Sequence, residues 1–153
     1  MWRFKDVNHL RNDALKSLVI NKFNKISELG IKYSFECEKE IETLPDQVKL
    51  FDLLRIIGIV FDNAIEASQA MKKENAEIKV MFYQKKPGEL EFKIQNKCQQ
   101  VDMNQVNKKG YTTKEDHHGL GLATAQEIND SYSNMFIEYS NKDGWFSFTL
   151  VII

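Results

Sequence analysis

Asp62 and Asn63 are adjacent polar residues in the second half of an otherwise apolar predicted helix. The helix is predicted over about 46–70, because its apolar residues recur at three- and four-residue steps: Phe51, Leu54, Ile57, Phe61 and Ile65. Asn63 falls at the edge of that stripe, where a cleft beside the core can use its amide. A buried amide or carboxylate must be paired or must serve a ligand. Asn63 is therefore a candidate binding residue, and the alternative is a hydrogen bond at the helix rim.

Gly119-Leu120-Gly121-Leu122 is a second candidate, because it opens a helix that is predicted over 120–132. The unpaired amides and the positive dipole end of a helix N-terminus can hold a phosphate, and glycines let the backbone approach its oxygens. Glycines also mark plain turns, which is the alternative for this pair. The polar stretch over 97–118 has little periodicity, and a loop of that length in a compact domain is usually functional or mobile.

Alternating apolar residues predict the strands that must position these helices, at 31–36, 78–82, 90–96, 135–140 and 145–152. A further helix is predicted over about 6–29. The expected fold is α/β: a two-layer sandwich of a mixed, largely antiparallel sheet covered on one face by helices. Asn96 has the same parity as Phe92 and Ile94, so its side chain is expected on the covered face, beside a cleft between sheet and helices.

A single domain is expected from the 153 residues, of which 42% are hydrophobic and 28% are charged. The formal net charge of -1, from 21 basic and 22 acidic residues, argues against a dominant nucleic-acid-binding surface. Cys37 and Cys98 have no paired spacing and are expected to be free thiols. The apolar run at 56–61 is too short to span a bilayer, and no signal-peptide pattern opens the chain. A cytosolic protein or fragment without membrane contact is therefore expected.

The order of these motifs resembles the Bergerat-type ATP-binding fold shared by gyrase, Hsp90, MutL and the sensor histidine kinases. Within that superfamily the chain is similar to the catalytic domain of peptide-pheromone sensor kinases of the Agr and Com quorum-sensing type. The segments that carry the resemblance are Asp62-Asn63-Ala64-Ile65-Glu66-Ala67-Ser68, Asn96-Lys97-Cys98, Thr112-Thr113-Lys114 and Gly119-Leu120-Gly121-Leu122. The resemblance implies that 1–29 holds the end of a dimerisation helix and the first helix of the catalytic domain. It also implies that 30–153 is the ATP-binding domain, with a lid over about 97–118.

The resemblance implies ATP and Mg2+ as cofactors, with Asn63 as the metal ligand, since an amide oxygen suits this hard cation. Asn96 stands where most relatives have an aspartate that accepts a hydrogen bond from the adenine amine. An asparagine can accept from the amine and donate to the neighbouring ring nitrogen, which preserves adenine recognition. The other implied nucleotide contacts are Tyr111, Thr113, Lys114, His118, Gly119, Leu120, Gly121 and Leu122.

The chain departs from the superfamily pattern at several positions. Ile59, one helical turn before Asn63, replaces the glutamate that activates water in the gyrase and Hsp90 branch, and isoleucine cannot act as a base. The sequence therefore indicates a domain that presents ATP to another nucleophile, with Asp62 and Glu66 as candidate catalytic residues on the same side of the helix. Glu66 stands where many kinases have a phosphate-contacting lysine. The stretch after Asn96 lacks the expected glycines, and His118 takes the place of an arginine.

The resemblance implies a protein histidine kinase catalytic domain that donates the γ-phosphoryl of ATP to a histidine on a dimerisation helix outside this chain. His9, His117 and His118 lack the acidic context of a phosphoacceptor, so the kinase is expected to need a separate phosphoacceptor domain. The expected partners are that domain and a response regulator, in the cytosolic portion of a membrane-bound sensor. One alternative is a non-catalytic interaction module of the same fold, docking a partner helix or response regulator. Another alternative is an anti-sigma serine kinase of the same fold. It predicts an acidic catalytic residue at position 59, where this chain has Ile59.

Overall fold

The computed structural model describes residues 4–98 and 117–153 of the chain, with side chains over 6–98 and 121–153. The helices in these ranges are α1 Phe4–Val7, α2 Asp13–Glu28, α3 Leu50–Gln69 and α4 His117–Asp130, with a short 3-10 turn at Lys73–Asn75. The strands are β1 Lys32–Glu36, β2 Glu77–Tyr83, β3 Leu90–Lys97, β4 Met135–Lys142 and β5 Trp145–Ile152. The predicted strands are therefore confirmed, and β4 continues two residues beyond its predicted end at 140.

The five strands form one sheet in the order β1-β2-β3-β5-β4. β1 pairs with β2 in parallel, and every other pair is antiparallel. The helices cover one face of the sheet. Along β2 and β3, buried residues on that face alternate with less buried residues on the other face. These features confirm the predicted mixed sheet with helices on one side.

Five phenylalanine rings join α2, α3 and the covered face of the sheet. Phe23 of α2 meets Phe61 of α3 edge to face, with ring centroids 5.7 Å apart. Phe61 lies 6.1 Å from Phe92 of β3, and Phe92 lies 4.8 Å from Phe82 of β2. Phe35 of β1 completes the group at 5.7 Å from Phe23. Aromatic contacts of this kind add to the burial of the rings, so they fix α3 against the sheet.

The prediction of one continuous helix over 6–29 is wrong, because the helix is interrupted between Val7 and Asp13. Leu10 instead forms an isolated bridge with Ile41, which takes that backbone out of the helix. Asn12 then starts α2 as its N-cap, since its side-chain oxygen accepts the N–H of Leu15 at 3.0 Å. Gly30 follows the helix with a positive φ of 73°, as a C-terminal glycine stop does.

α3 begins at Leu50, four residues later than predicted, and Lys49 precedes it without a side-chain cap. Its buried face consists of Leu53, Ile56, Ile57, Val60, Phe61, Ala64, Ile65 and Ser68. Phe51 was predicted on this face, but 71% of it is exposed. It lies two residues from Leu53, which is about 200° around the helix, so it points away from the sheet. The core-facing stripe is thus centred on Ile57 and Ala64, with Phe51 outside it.

The turn between β4 and β5 explains the close pairing of these two strands. Asp143 and Gly144 both have positive φ, at 56° and 80°. Positive φ at two central residues is the signature of a type I′ hairpin turn, which Asp-Gly favours. The strands then pair in register from Met135 with Ile152 to Lys142 with Trp145.

Both cysteines are free thiols, as predicted. Cys37 is buried, and burial together with the nearby Asp6 carboxylate raises the pKa of its thiol to about 12. Burial also raises the pKa of the Cys98 thiol, although its hydrogen bonds with the Asn141 side chain and the Phe146 backbone oppose the rise. Among the described helices, none is long and apolar enough to cross a membrane.

Candidate functional site

Asn63 of α3 and Gly121 of α4 lie against each other at the edge of the covered face. A Cβ atom placed on Gly121 would stand 3.3 Å from Oδ1 and 3.7 Å from Nδ2 of Asn63. The Nδ2 atom of Asn63 is buried and has no hydrogen-bond partner among the described residues. The alternative, a hydrogen bond at the helix rim, is therefore not seen for Nδ2 in the described part of the chain. An unpartnered buried amide costs free energy, so its retention suits a group that serves a ligand.

Within the described ranges, two other buried side-chain atoms also lack a hydrogen-bond partner: Ser68 Oγ and Asn129 Oδ1. Asn63 is distinguished from them by its neighbour, because a glycine faces it where any other residue would bring a Cβ atom. The backbone of α4 thereby approaches the Asn63 amide closely.

A second tie holds α4 to α3 at the other end of the pair. The hydroxyl of Tyr132, just after α4, donates to Oδ2 of Asp52 and accepts the backbone N–H of Lys49 at 3.2 Å. The hydrogen bond to the Asp52 carboxylate raises the pKa of the Tyr132 hydroxyl. Tyr132 was not predicted from the sequence, because a tyrosine at a helix end gives no sign of its partner. The tie and the Gly121 contact together fix the spacing of the two helices.

Ile59 takes part in the same contact. Its Cγ2 atom would lie 3.2 Å from a Cβ placed on Gly121, which is tighter than ordinary van der Waals contact. Ile59 therefore packs against the glycine motif of α4. An apolar side chain there fills space and offers no proton acceptor.

Asn96 lies near the end of β3, where it is only 4% exposed. Its backbone pairs with Ile78 of β2 and Phe146 of β5, so it sits within the sheet and not at its edge. The alternation of burial along β3 places it on the covered face, which confirms the predicted orientation. Its Nδ2 donates to the Lys97 carbonyl at 3.3 Å. A buried asparagine on the face that also carries α3 and α4 is available to a ligand held between these layers.

The two candidate catalytic carboxylates differ in their surroundings. Asp62 is half exposed and forms an ion pair with Lys22 of α2, with Nζ 2.8 Å from Oδ1. Glu66 is half-buried, one helical turn further along α3. The Lys22 side chain is only 16% exposed, because its stem lies against α3 while its ammonium group meets the carboxylate. The ion pair directs the Asp62 carboxylate toward α2.

The remaining predicted site residues lie in or next to the lid. Tyr111, Thr113 and Lys114 fall outside the described residues. The predicted lid over 97–118 overlaps regular structure at both ends, because Lys97 is the last residue of β3 and α4 begins at His117. α4 thus starts three residues before its predicted position at 120.

The Gly-x-Gly motif consequently lies inside the first turns of α4. His118, Gly119 and Leu120 belong to its first four residues, whose backbone N–H groups have no partner within an α-helix. Gly121 is the next residue and contacts α3, as described above. Leu122 is half-buried. The motif therefore combines amides that lack an intrahelical partner with a glycine contact to Asn63.

The fold is that of histidine kinase catalytic domains. The catalytic domain of histidine kinase ThkA superposes with a TM-score of 0.68 at 20% identity, covering 90% of this chain and 88% of that domain. ThkA solved in complex with the response regulator protein TrrA matches with a TM-score of 0.67 at 18% identity, over 90% of this chain and 38% of that chain. The likeness at these identities establishes the fold.

Residues 48–153 match the GHKL domain family, and the chain belongs to that family. The matched range begins just before α3 and includes α4, so both helices of the candidate site lie within it.

Curated relatives are similar to 78–95% of the chain. A protein of Halalkalibacterium halodurans described as a probable C4-dicarboxylate sensor kinase is 27% identical over 124 residues, or 78% of this chain. The sensor protein CitS of Bacillus subtilis is 26% identical over 154 residues, or 95% of this chain. The chain spans only 23% and 27% of the lengths of these two proteins.

Proposed function

We propose that this chain binds ATP with Mg2+ between α3, α4 and the covered face of the sheet. The observation that carries the proposal is the buried Nδ2 atom of Asn63, which has no partner in the described structure and lies against Gly121. A polar group kept in this condition beside a glycine-lined helix start suits a ligand with anionic oxygens and a bound metal. Membership of the GHKL family supports the same nucleotide.

The residues of this site fit ATP with Mg2+. Asn63 would hold Mg2+ through Oδ1, the oxygen that also faces Gly121. The first backbone amides of α4, including those of Gly119 and Leu120, would bind phosphate oxygens at the positive end of the helix. Asn96 would recognise adenine from the covered face. Tyr111, Thr113, Lys114 and His118 stay predictions for further nucleotide contacts. When bound, Mg2+ neutralises charge on the phosphates.

The chain would donate the γ-phosphoryl of ATP to a histidine on a dimerisation helix outside it. Ile59 supports transfer over hydrolysis, because its side chain packs against Gly121 and offers no base to activate water. Catalysis would then rest on positioning and on charge neutralisation. Asp62 and Glu66 remain candidates for assisting the transfer, with Asp62 held by Lys22.

The proposed setting is two-component signalling, with a phosphoacceptor domain and a response regulator as partners. ThkA, which shares the fold, has been solved with its response regulator protein. The division of the chain at 29/30, the cytoplasmic location and the attachment to a membrane-bound sensor stay predictions. Peptide-pheromone sensing rests on the motif resemblance, whereas two curated relatives carry the name of C4-dicarboxylate sensor kinases. We therefore infer sensor-kinase signalling in general.

Titration calorimetry with ADP and with a non-hydrolysable ATP analogue tests the proposal. The chain is expected to bind both, more tightly with Mg2+ than without it, and Asn63→Ala is expected to lose the Mg2+-dependent gain. Asn24→Ala is the matched control, because Asn24 is exposed on α2 and should leave binding unchanged. Absence of binding at millimolar nucleotide would contradict the proposal and favour the alternative of a non-catalytic interaction module.

A further inference from the structure

The uncovered face of the sheet carries a concave site on the side opposite the helices. The concavity has a volume of about 330 Å3 and is lined by Lys79, Lys93, Gln95, Ser140, Lys142, Asp143, Trp145 and Ser147. Gln95 lines it, while the next residue, Asn96, is buried on the other face. Successive residues of a strand point to opposite faces, so this site and the proposed nucleotide site lie on opposite sides of one sheet.

Neutral polar side chains form the floor of the concavity. Gln95 pairs across strands with Ser147, which pairs in turn with Ser140, so the three form one row across β3, β5 and β4. Gln95 Nε2 donates to Ser147 Oγ at 2.9 Å, which leaves the Ser147 hydroxyl proton for another acceptor. Ser147 is 8% exposed, so its hydroxyl lies at the bottom of the site. The floor can donate hydrogen bonds to an oxygen-bearing ligand.

Lysines stand on both sides of this floor. Lys79 and Lys93 come from β2 and β3, and Lys142 comes from β4. Three strand spacings separate β2 from β4, which amounts to about 14 Å. No carboxylate of the described residues lies within ion-pair distance of these three ammonium groups. Their charge is therefore not compensated by an ion pair within the described part of the chain.

Trp145 fixes one wall of the concavity. The Nζ atom of Lys79 lies 4.6 Å from the centroid of the indole, and that of Lys97 lies 5.7 Å from it. Lys97 is also paired with Glu77 at 3.5 Å, which compensates its charge. The cation–π contact restrains Lys79 without neutralising it, because an aromatic ring carries no net charge.

We propose that this concavity docks an acidic segment of a protein partner. Three lysines against the single carboxylate of Asp143 give the lining a positive balance, in a chain whose formal net charge is -1. The complementary partner carries carboxylates that reach both lysine walls. An extended segment rises about 3.3 Å per residue, so carboxylates about four residues apart span the floor. The recessed floor and Asp143 favour an inserted segment over a flat anionic membrane.

This docking site is independent of the proposed nucleotide site, so the two can be tested separately. The probe is a glycine-serine peptide that carries two glutamate pairs about four residues apart. It is titrated into the isotope-labelled chain at low ionic strength and followed by amide chemical shifts. Shift changes are expected at Gln95, Ser140 and Ser147 and at the Trp145 indole N–H, and they should be absent with a glutamine version of the peptide.

The triple variant Lys79→Gln, Lys93→Gln and Lys142→Gln is expected to weaken peptide binding about tenfold. This is the change in affinity that corresponds to the summed free energies of three exposed charge contacts. The matched control replaces three exposed lysines elsewhere, Lys39→Gln, Lys72→Gln and Lys85→Gln, with the same change in net charge. It is expected to bind the peptide within about twofold of the unaltered chain. Nucleotide affinity measured in the same variants is expected to be unchanged, since that site lies on the other face.

Three results would overturn the docking proposal. The first is an absence of shift changes at the concavity at millimolar peptide. The second is equal loss of binding in the lysine variant and its charge-matched control, which would indicate attraction by net charge alone. The third is lysine-dependent binding to phosphatidylserine vesicles without binding to the peptide, which would assign the surface to a membrane. Failure of nucleotide binding in the unaltered chain would contradict the proposed function and leave this inference standing.

Discussion

Gly121 of α4 lies so close to Asn63 of α3 that a methyl group on Gly121 would stand 3.3 Å from the Asn63 side-chain oxygen. The same methyl group would stand 3.2 Å from Cγ2 of Ile59. The glycine thus sets the distance between two helices at the place where an unpartnered amide is buried. In the proposed function, that distance decides where the amide oxygen meets the metal and the phosphates.

Gly121→Ala is expected to weaken Mg2+-nucleotide binding about tenfold, which corresponds to about 1.4 kcal/mol. The added methyl group has to push Asn63 or Ile59 by a few tenths of an ångström, which displaces the proposed metal ligand. Stability should change little, because alanine favours the helix by about 1 kcal/mol over glycine and offsets the crowding. Calorimetric titration together with thermal unfolding separates the two effects.

A double-mutant cycle supplies the control for this prediction. Ile59→Ala removes the Cγ2 atom that the new methyl group meets, so it should restore part of the affinity lost in Gly121→Ala. Additive losses in the double variant would show that the contact between positions 59 and 121 does not position the site.

Gly58→Ala is expected to stabilise the chain by about 0.5–1 kcal/mol. Gly58 lies in the interior of α3, and among the described residues a Cβ placed there meets only Leu18 Cδ1, at 4.0 Å, an ordinary van der Waals distance. The gain of helix propensity is therefore not opposed by crowding. Chemical denaturation measures the free energy of unfolding, and nucleotide affinity should be unchanged. A loss of stability would mean that α3 and α2 are packed more tightly at this point than the structure shows.

The strands were predictable because their signals are local. Alternating apolar residues and the Asp143-Gly144 turn determine β4 and β5 within a few residues. The start of α3 was not predictable in this way, since Lys49 provides no capping side chain and Phe51 continues the apolar pattern into solvent. The interruption before α2 depends on the bridge between Leu10 and Ile41, which are distant in sequence.

The candidate site shows the same division between local and tertiary information. The polar position of Asn63 in an apolar helix and the parity of Asn96 were visible in the sequence. The contact of Asn63 with Gly121 and the Tyr132 tie to Asp52 were not, because each joins segments separated by more than fifty residues. Residue types indicated candidate groups for the chemistry, and packing decides which of them meet.

The ion pair between Lys22 and Asp62 is expected to contribute about 0.3–1 kcal/mol of coupling energy. The Lys22 side chain is only 16% exposed, whereas that of Asp62 is 52% exposed, so solvent screens the pair from one side. A double-mutant cycle with Lys22→Gln and Asp62→Asn measures the coupling, which should fall as salt is added. Nucleotide affinity should be equal in Asp62→Asn and the unaltered chain, because the carboxylate faces α2. Zero coupling at low salt would contradict the pairing.

The Cys37 thiol is expected to make the chain less stable as pH rises from about 9 to about 12. Its pKa is about 12 in the folded chain and near the ordinary value of 9.0 after unfolding, so only the unfolded state loses the proton in this window. Stability is therefore unaffected by this group below pH 9.0 and falls by about 1.4 kcal/mol per pH unit above it.

Cys37→Ala removes this pH dependence while it adds a constant cost for the lost sulfur in the core. The difference in free energy of unfolding between the two chains should therefore be flat below pH 9.0 and shrink above it. Burial raises the pKa of Tyr139 as well, but that group is present in both chains and cancels in the difference. Urea denaturation from about pH 8 to about pH 10.5 covers the onset of the effect. Parallel curves across that range would show that the Cys37 thiol ionises in the folded chain as readily as in the unfolded one.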